Sequence, residues 1–293
     1  MLDRLAPAVF VFLWSTGWIA AGYAAIHSEP FTFLAWRYGL SFLAFAALCI
    51  VAGARWPRDW RQALKAVYSG IFLHGLYLAG LWWAVARGVP AGLSGIIAAL
   101  QPLLTAVAAA SLLGERLSRL QKLGLALGFL GIAIAISPKL MAIDPGNLGQ
   151  TAVPLVVNLL GMVSVTYGTV YQKQHLQVGD IRTIATLQYV GALLVTAPLA
   201  LFTERLHFDG SWPAILTMLW SIFGLSMGAI GLLLYLIRRG QVSKAASLIY
   251  LVPPLVAVEA AIAFGEPLTL PMIVGTVIVV IGVYFTNRRP IGR

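Results

Sequence analysis

Few residues of this chain can do chemistry, and the informative ones sit inside apolar runs. His74 lies near the middle of one such run. Tyr77 follows three residues later, on the same helical face. Histidine has the ordinary pKa closest to neutrality and suits proton handling, but it serves equally as a hydrogen-bonded strut between helices. Arg37 and Glu259 are the charges placed well within apolar runs. An arginine deep in a bilayer costs ~2.5–3.5 kcal/mol or more. Arg37 therefore either snorkels to an interface or serves a cavity or a pair. Glu259 either pairs with it or takes up a proton or a substrate ammonium. Arg37, Glu259 and His74 are the expected coupling or gating residues.

Uncharged polar residues fall on helical faces. Ser94, Ala98, Gln101 and Thr105 form one polar, small stripe. Pro102 frees a backbone carbonyl within it, and in lipid such a carbonyl needs a partner or cavity water. Ser247, Tyr250, Pro253 and Pro254 repeat the arrangement later in the chain. Asn158, Gly161, Val165, Thr169 and Gln172 form another face, with Tyr167 and Tyr171 beside it. Trp14 is deeper in its run than Trp82 and Trp83, which read as interfacial belt residues. The expected cavity set is Trp14, His74, Tyr77, Ser94, Gln101, Pro102, Tyr167, Tyr250 and Pro253. His27, His175 and His207 show no metal-ligand spacing, and Cys49 is the lone cysteine. No metal site and no cofactor are expected.

The elements that must position these residues follow from composition. The 293 residues are 60% hydrophobic and only 10% charged, with mean hydropathy +0.87. Soluble domains carry roughly 25% charged residues. This reads as an all-α integral membrane protein with lipid as its main solvent. A net charge of +10 would suggest nucleic acid in a soluble chain. Here the basic residues punctuate apolar runs, so the charge is topological and no nucleic-acid partner is expected. Ten stretches are long enough to cross a bilayer: 5–27, 31–53, 63–86, 90–113, 119–138, 151–173, 181–203, 212–237, 243–264 and 269–287. With the amino terminus inside, the inner loops carry Arg55, Arg58, Arg61, Lys65, Arg116, Arg119, Lys122, Lys173, Arg182, Arg238, Arg239, Lys244 and the final arginines. The outer loops carry Arg87, Lys139 and Arg205. By the positive-inside rule both termini are cytoplasmic. The first run is read as a retained span rather than a cleaved signal.

A single offset of 151 positions maps one half of the chain onto the other: Gly17 to Gly168, Tyr38 to Tyr189, Gly80 to Gly231, Pro102 to Pro253, Gly114-Glu115 to Gly265-Glu266, Gly124 to Gly275 and Gly131 to Gly282. Residues 1–140 and 150–293 are thus two five-helix repeats. Five is odd, so the second repeat crosses in the opposite sense, as in transporters built around a midplane site. The same offset places Gln188 where the first half has Arg37, so the halves differ there. In both Gly-Glu pairs the glycine is expected to end a helix and the glutamate to stay in water. Gly124-x-x-x-Gly128 and Gly224-x-x-x-Gly228 are packing motifs.

Leu13-Trp14-Ser15-Thr16-Gly17-Trp18, Pro30-Phe31 through Trp36-Arg37-Tyr38, Pro102 through Leu113-Gly114-Glu115, and Pro253-Pro254 through Gly265-Glu266 together resemble the drug/metabolite transporter superfamily, in particular its EamA-type ten-helix members. The resemblance covers essentially the whole chain. It implies two inverted five-helix halves, a central cavity, and export of small metabolites across a bacterial inner membrane. Within the family the chain looks most like exporters of amino acids, aromatic ones included. The expected partners are a small-molecule substrate and the bilayer, for a monomer or homodimer. A multidrug or cationic-compound exporter, or a facilitator without proton coupling, is the alternative. No G-x-x-x-x-G-K-[ST] or H-E-x-x-H occurs, so neither ATP use nor an enzyme is expected.

Overall fold

A computed structural model describes residues 2–112, 117–141, 148–229, 231–232 and 251–287. Tyr250 and Ser247, and the Gly114-Glu115 pair, lie outside the described residues. Within them the regular elements are helices: α1 (Leu2–His27), α2 (Pro30–Val51), α3 (Trp60–Ala86), α4 (Ala91–Ala98 continued by Leu100–Leu112), α5 (Arg119–Met141), α6 (Leu148–His175), α7 (Ile181–Thr203), α8 (Trp212–Gly228), α9 (Val252–Phe264) and α10 (Leu270–Asn287). Helices suit this sequence because every backbone group is satisfied within the segment, as lipid demands. The first seven are long and apolar enough to cross a membrane, and the last three are shorter.

Pro102 breaks α4 upstream of itself. Its missing N–H leaves the carbonyl four residues back without its helical bond, and regular helix lapses at Ala99. Two other helices widen into π turns, Ile71–Leu76 in α3 and Trp220–Gly228 in α8. These lie at positions related by the same offset of 151. A π turn leaves carbonyls out of the regular ladder, and neighbouring hydroxyls take them. Tyr38 Oη donates to the His74 carbonyl at 3.0 Å, Ser164 Oγ to the Phe72 carbonyl at 3.0 Å, and Ser226 Oγ to the Ser221 carbonyl at 3.0 Å.

Glycine sets the closest helix contact. Helices in lipid associate by van der Waals packing, which small residues permit. A Cβ on Gly131 would stand 2.7 Å from the Gly275 carbonyl oxygen, and one on Gly282 would stand 2.7 Å from that of Gly124. The pairs cross-match: Gly124 maps to Gly275 and Gly131 to Gly282 by the offset, and each touches the other's mate. Tyr38 stacks on its own mate, Tyr189, with ring centroids 5.9 Å apart.

Contacts between loops sort the helix ends into two sets. In one, His27 Nδ1 meets Asp209 at 2.7 Å, Ser28 Oγ donates to the His207 carbonyl, and Lys139 Nζ donates to the Gly88 carbonyl. In the other, Thr183 Oγ1 donates to the Arg55 carbonyl and Gln121 Nε2 to the Thr286 carbonyl. Two carboxylates staple the first set. Glu204 accepts from Phe31 N, Thr32 N and Thr32 Oγ1 at 2.7–2.9 Å, capping α2, whose own N-cap Glu29 supplies no side-chain bond. Glu266 accepts from Ala91 N at 2.7 Å and Gly92 N at 2.9 Å, capping α4. Glu266 is half-buried, which corrects the expectation that it stays in water: two orphan amide donors at a helix start outcompete solvent for the carboxylate. Gly265 does end α9, in the left-handed conformation at φ 66°.

Candidate functional site

The helices enclose a cavity of about 830 Å³. Its wall draws Phe10, Trp14, Gly17 and Trp18 from α1, Arg37 from α2, and Leu73, His74, Tyr77, Leu78, Leu81 and Trp82 from α3. Gln101 comes from α4; Val165, Thr169, Gln172 and Lys173 from α6; Ala185, Gln188 and Tyr189 from α7; and Leu225 and Ser226 from α8. Both π turns face it, through Leu73–His74 and Leu225–Ser226. A π turn shifts these side chains out of the regular helical register.

One wall is aromatic and basic. Arg37 is only 7% exposed, with Cζ 5.7 Å from the Trp82 ring and 5.9 Å from the Tyr38 ring. His74 stacks against Tyr189 at 5.5 Å. A chain of amides and hydroxyls also reaches the cavity. Gln188 Nε2 donates to Ser69 Oγ at 3.0 Å and to Gln172 Oε1 at 2.9 Å, and Gln101 Nε2 reaches Thr169 Oγ1 at 3.4 Å. Lys173 and Gln177, both exposed, stand at one end of the cavity. Among the described residues no aspartate or glutamate lines it.

The structure brings Trp14, His74, Tyr77, Gln101 and Arg37 to this cavity. It puts the other expected residues that it describes elsewhere. Ser94 is fully buried and accepts from Asn158 Nδ2 at 2.8 Å. That bond ties α4 to α6 and makes the stripe a packing seam at Ser94. Pro253 is buried at the start of α9. α9 closes directly on the first segment of α4, where a Cβ on Gly95 would meet Val256 at 2.4 Å, so the contact leaves no room for a cavity. Pro102 also lies off the wall. Tyr167 is 43% exposed and hydrogen-bonds Tyr68 Oη at 3.1 Å on an outward aromatic ladder with Phe72 and Tyr171. Glu259 does not pair with Arg37: its Oε1 accepts from Ser15 Oγ at 2.7 Å, and its buried Oε2 has no partner. The ion pairs among the described residues are His27–Asp209 and Arg182–Asp180. Matching depth in the bilayer was the ground for expecting the Arg37–Glu259 pair. Depth does not fix azimuth, and α9 turns Glu259 toward α1 instead.

Sequence reasoning left out Tyr189 and Lys173 as cavity residues. The offset held the clue for Tyr189, since its mate Tyr38 sits beside Arg37. Lys173 read simply as a loop charge.

Outside the spans, Asp180 and Asp209 are held low, each to about 2. The Arg182 side chain hydrogen-bonded to Asp180 is the main cause for the first. The Ser211 amide donating to Asp209, ahead of His27, is the main cause for the second.

Residues 5–137 and 153–288 each match the EamA-like transporter family. A Bacillus subtilis protein named "Uncharacterized transporter YvbV" is 29% identical over 97% of this chain and 91% of its own length. An Escherichia coli protein named "Probable amino-acid metabolite efflux pump" is 26% identical over 96% of this chain and 93% of its own. A "Probable terminal-alkyne amino-acid exporter" of Streptantibioticus cattleyicolor is 27% identical over 86% and 82%. One crystal structure shares the fold at TM-score 0.67, covering 97% of this chain and 96% of its own at 18% identity.

Proposed function

Because the chain belongs to the EamA-like transporter family, we propose that it is a secondary transporter exporting small metabolites, amino acids with apolar or aromatic side chains in particular, by alternating access. The observation that carries this reading is the cavity of about 830 Å³, whose lining combines aromatic rings with Arg37 and a set of amides. Such a lining suits an amphipathic solute: the apolar part lies on Trp14, Trp18 and Trp82, and the polar head meets Arg37, Gln101 or Gln188. The amino-acid exporters among its relatives support the substrate class.

Ten spans in two inverted repeats, with both termini cytoplasmic, are part of the same reading. The cross-matched glycines of α5 and α10 support the inversion. A two-fold axis makes residue i touch j's mate while j touches i's mate, and Gly124 with Gly282 and Gly131 with Gly275 do this. The sorting of loop contacts into two sets supports the alternation of helix direction. On this topology the Glu204 and Glu266 staples lie on the outer side, and Lys173 and Gln177 line an inner mouth. The arrangement is then inward-facing, with the outer side tied shut, in a bacterial inner membrane.

The test is counterflow in proteoliposomes holding the full chain, across amino acids, sugars, nucleosides and cationic drugs, with and without a pH gradient. Saturable counterflow of amino acids is the expected result. Movement of drugs without amino acids refutes the substrate class, and flux that never saturates refutes alternating access.

A further inference from the structure

Arg37 is a buried cation with no counter-ion among the described residues. Its side chain is 7% exposed, its Nε makes no hydrogen bond, and the ion pairs among the described residues involve other groups. Burying a charge is costly unless it is paired and hydrogen-bonded. The protein meets only a fraction of that cost with the faces of Trp82 and Tyr38, since cation–π contacts are weak beside a charge-assisted bidentate bond. The cavity also lacks an acidic residue among the described residues, while Lys173 adds a second cation at its mouth.

A cavity with this charge pattern has no anchor for a cation and an unfilled one for an anion. We infer that Arg37 is the receptor for the substrate's carboxylate. The transported class is therefore restricted to solutes that carry an anionic head, and cationic compounds without one are excluded. Trp18 also lines the cavity, and its buried Nε1–H is unpartnered. The planar fork of Arg37 matches a carboxylate in a way that a lysine does not. The ammonium of an amino acid has only neutral acceptors to meet, the amide oxygens and hydroxyls of the Gln101, Thr169 and Gln172 side. Carboxylate recognition thus dominates selectivity. This inference rests on the reading of the cavity as a transport site.

The test separates the two. Full-length protein in lipid nanodiscs is titrated with phenylalanine, with phenylpropionate (carboxylate without ammonium), with phenylethylamine (ammonium without carboxylate) and with sodium chloride. The signal is tryptophan fluorescence, since Trp82 lies against Arg37. Counterflow of phenylalanine is measured in parallel. Phenylalanine and phenylpropionate are expected to bind, with phenylethylamine at least about tenfold weaker. Arg37→Gln should weaken both carboxylates by about tenfold or more and leave phenylethylamine unchanged, while Arg37→Lys should retain part of the carboxylate affinity. Equal binding of phenylethylamine and phenylpropionate overturns the inference, as does an equal loss of all three ligands in Arg37→Gln. Saturation by chloride that abolishes the discrimination shows an inorganic-anion site and overturns it too. If Arg37→Gln fails to fold, the wild-type comparison of phenylpropionate with phenylethylamine decides alone. Discrimination in binding without counterflow sinks the transport reading and leaves the receptor assignment standing.

Discussion

Replacing Glu266 by alanine removes a carboxylate that no neighbour can substitute. The carboxylate accepts from Ala91 N at 2.7 Å and Gly92 N at 2.9 Å, and both of those residues are buried. α4 has Pro90 at its N-cap, which offers no side-chain acceptor. In the variant two amide donors at the positive end of a helix are left dry. A hydrogen bond to a charged group contributes about 1.5–3 kcal/mol, so two bonds set an upper bound of about 3–6 kcal/mol. Glu266 is only half-buried, and water entering the gap recovers part of that. A loss of about 2–3 kcal/mol follows. Glu266→Gln keeps one acceptor oxygen but turns an amide nitrogen toward the second N–H, and should fall between the two. The assay is thermal unfolding of the purified protein in lipid, where this loss lowers the midpoint by roughly 5 °C or more. A cysteine placed at Ala91, labelled from the outer side of sealed vesicles, should become more reactive in the same variant. Glu266→Ala within about 0.5 kcal/mol of wild type, with no change in labelling, would refute the reasoning: the carboxylate would then be a solvated loop residue after all.

Gly282→Ala should destabilise by about 1–3 kcal/mol through overpacking, because its Cβ would stand 2.4 Å from Gly128 N. Gly39→Ala, with nothing within 4 Å, should be neutral or slightly stabilising, and unfolding midpoints of the two variants check the contrast. Ser94→Ala strands the Asn158 amide, which loses its 2.8 Å bond. It should cost about 1–2 kcal/mol, and pairing it with Asn158→Leu should recover much of that; a double-mutant cycle measures the recovery. Asp180 has a folded pKa below its ordinary value, so its contribution is fully present above about pH 4 and is lost as pH falls through about 2. Asp180→Asn should flatten the acid limb of a stability–pH curve in that window, and an unchanged limb would count against the Arg182 pairing.

Much of the architecture was legible beforehand because it rests on one-dimensional signals. Apolar run length marks helices for any chain dissolved in lipid. Proline and glycine placed the break in α4 and the end of α9 near where they occur. The candidate site was legible only in part. Trp14, His74, Tyr77, Gln101 and Arg37 were picked as polar or aromatic residues in apolar helices, and they share one cavity. Ser94 and Tyr167 stand out on the same ground, and Pro253 for the carbonyl that it frees, yet they face a seam, the outer surface and a helix contact. A polar residue in a membrane helix must be satisfied, but a neighbouring helix satisfies it as well as a cavity does.

That the chain is helical and membrane-embedded, that its two halves repeat at one offset, and which family it resembles are all written along the chain. These follow from composition, span length and motif, none of which needs a partner helix. Only packing settles which face of each helix meets the cavity, that Glu204 and Glu266 cap helices far away in sequence, that Glu259 goes to Ser15, and that Arg37 has no counter-ion among the described residues. The physical reason is rotation about the helix axis: depth is written in residue number, but azimuth is set by packing, and packing chooses each buried polar group's partner.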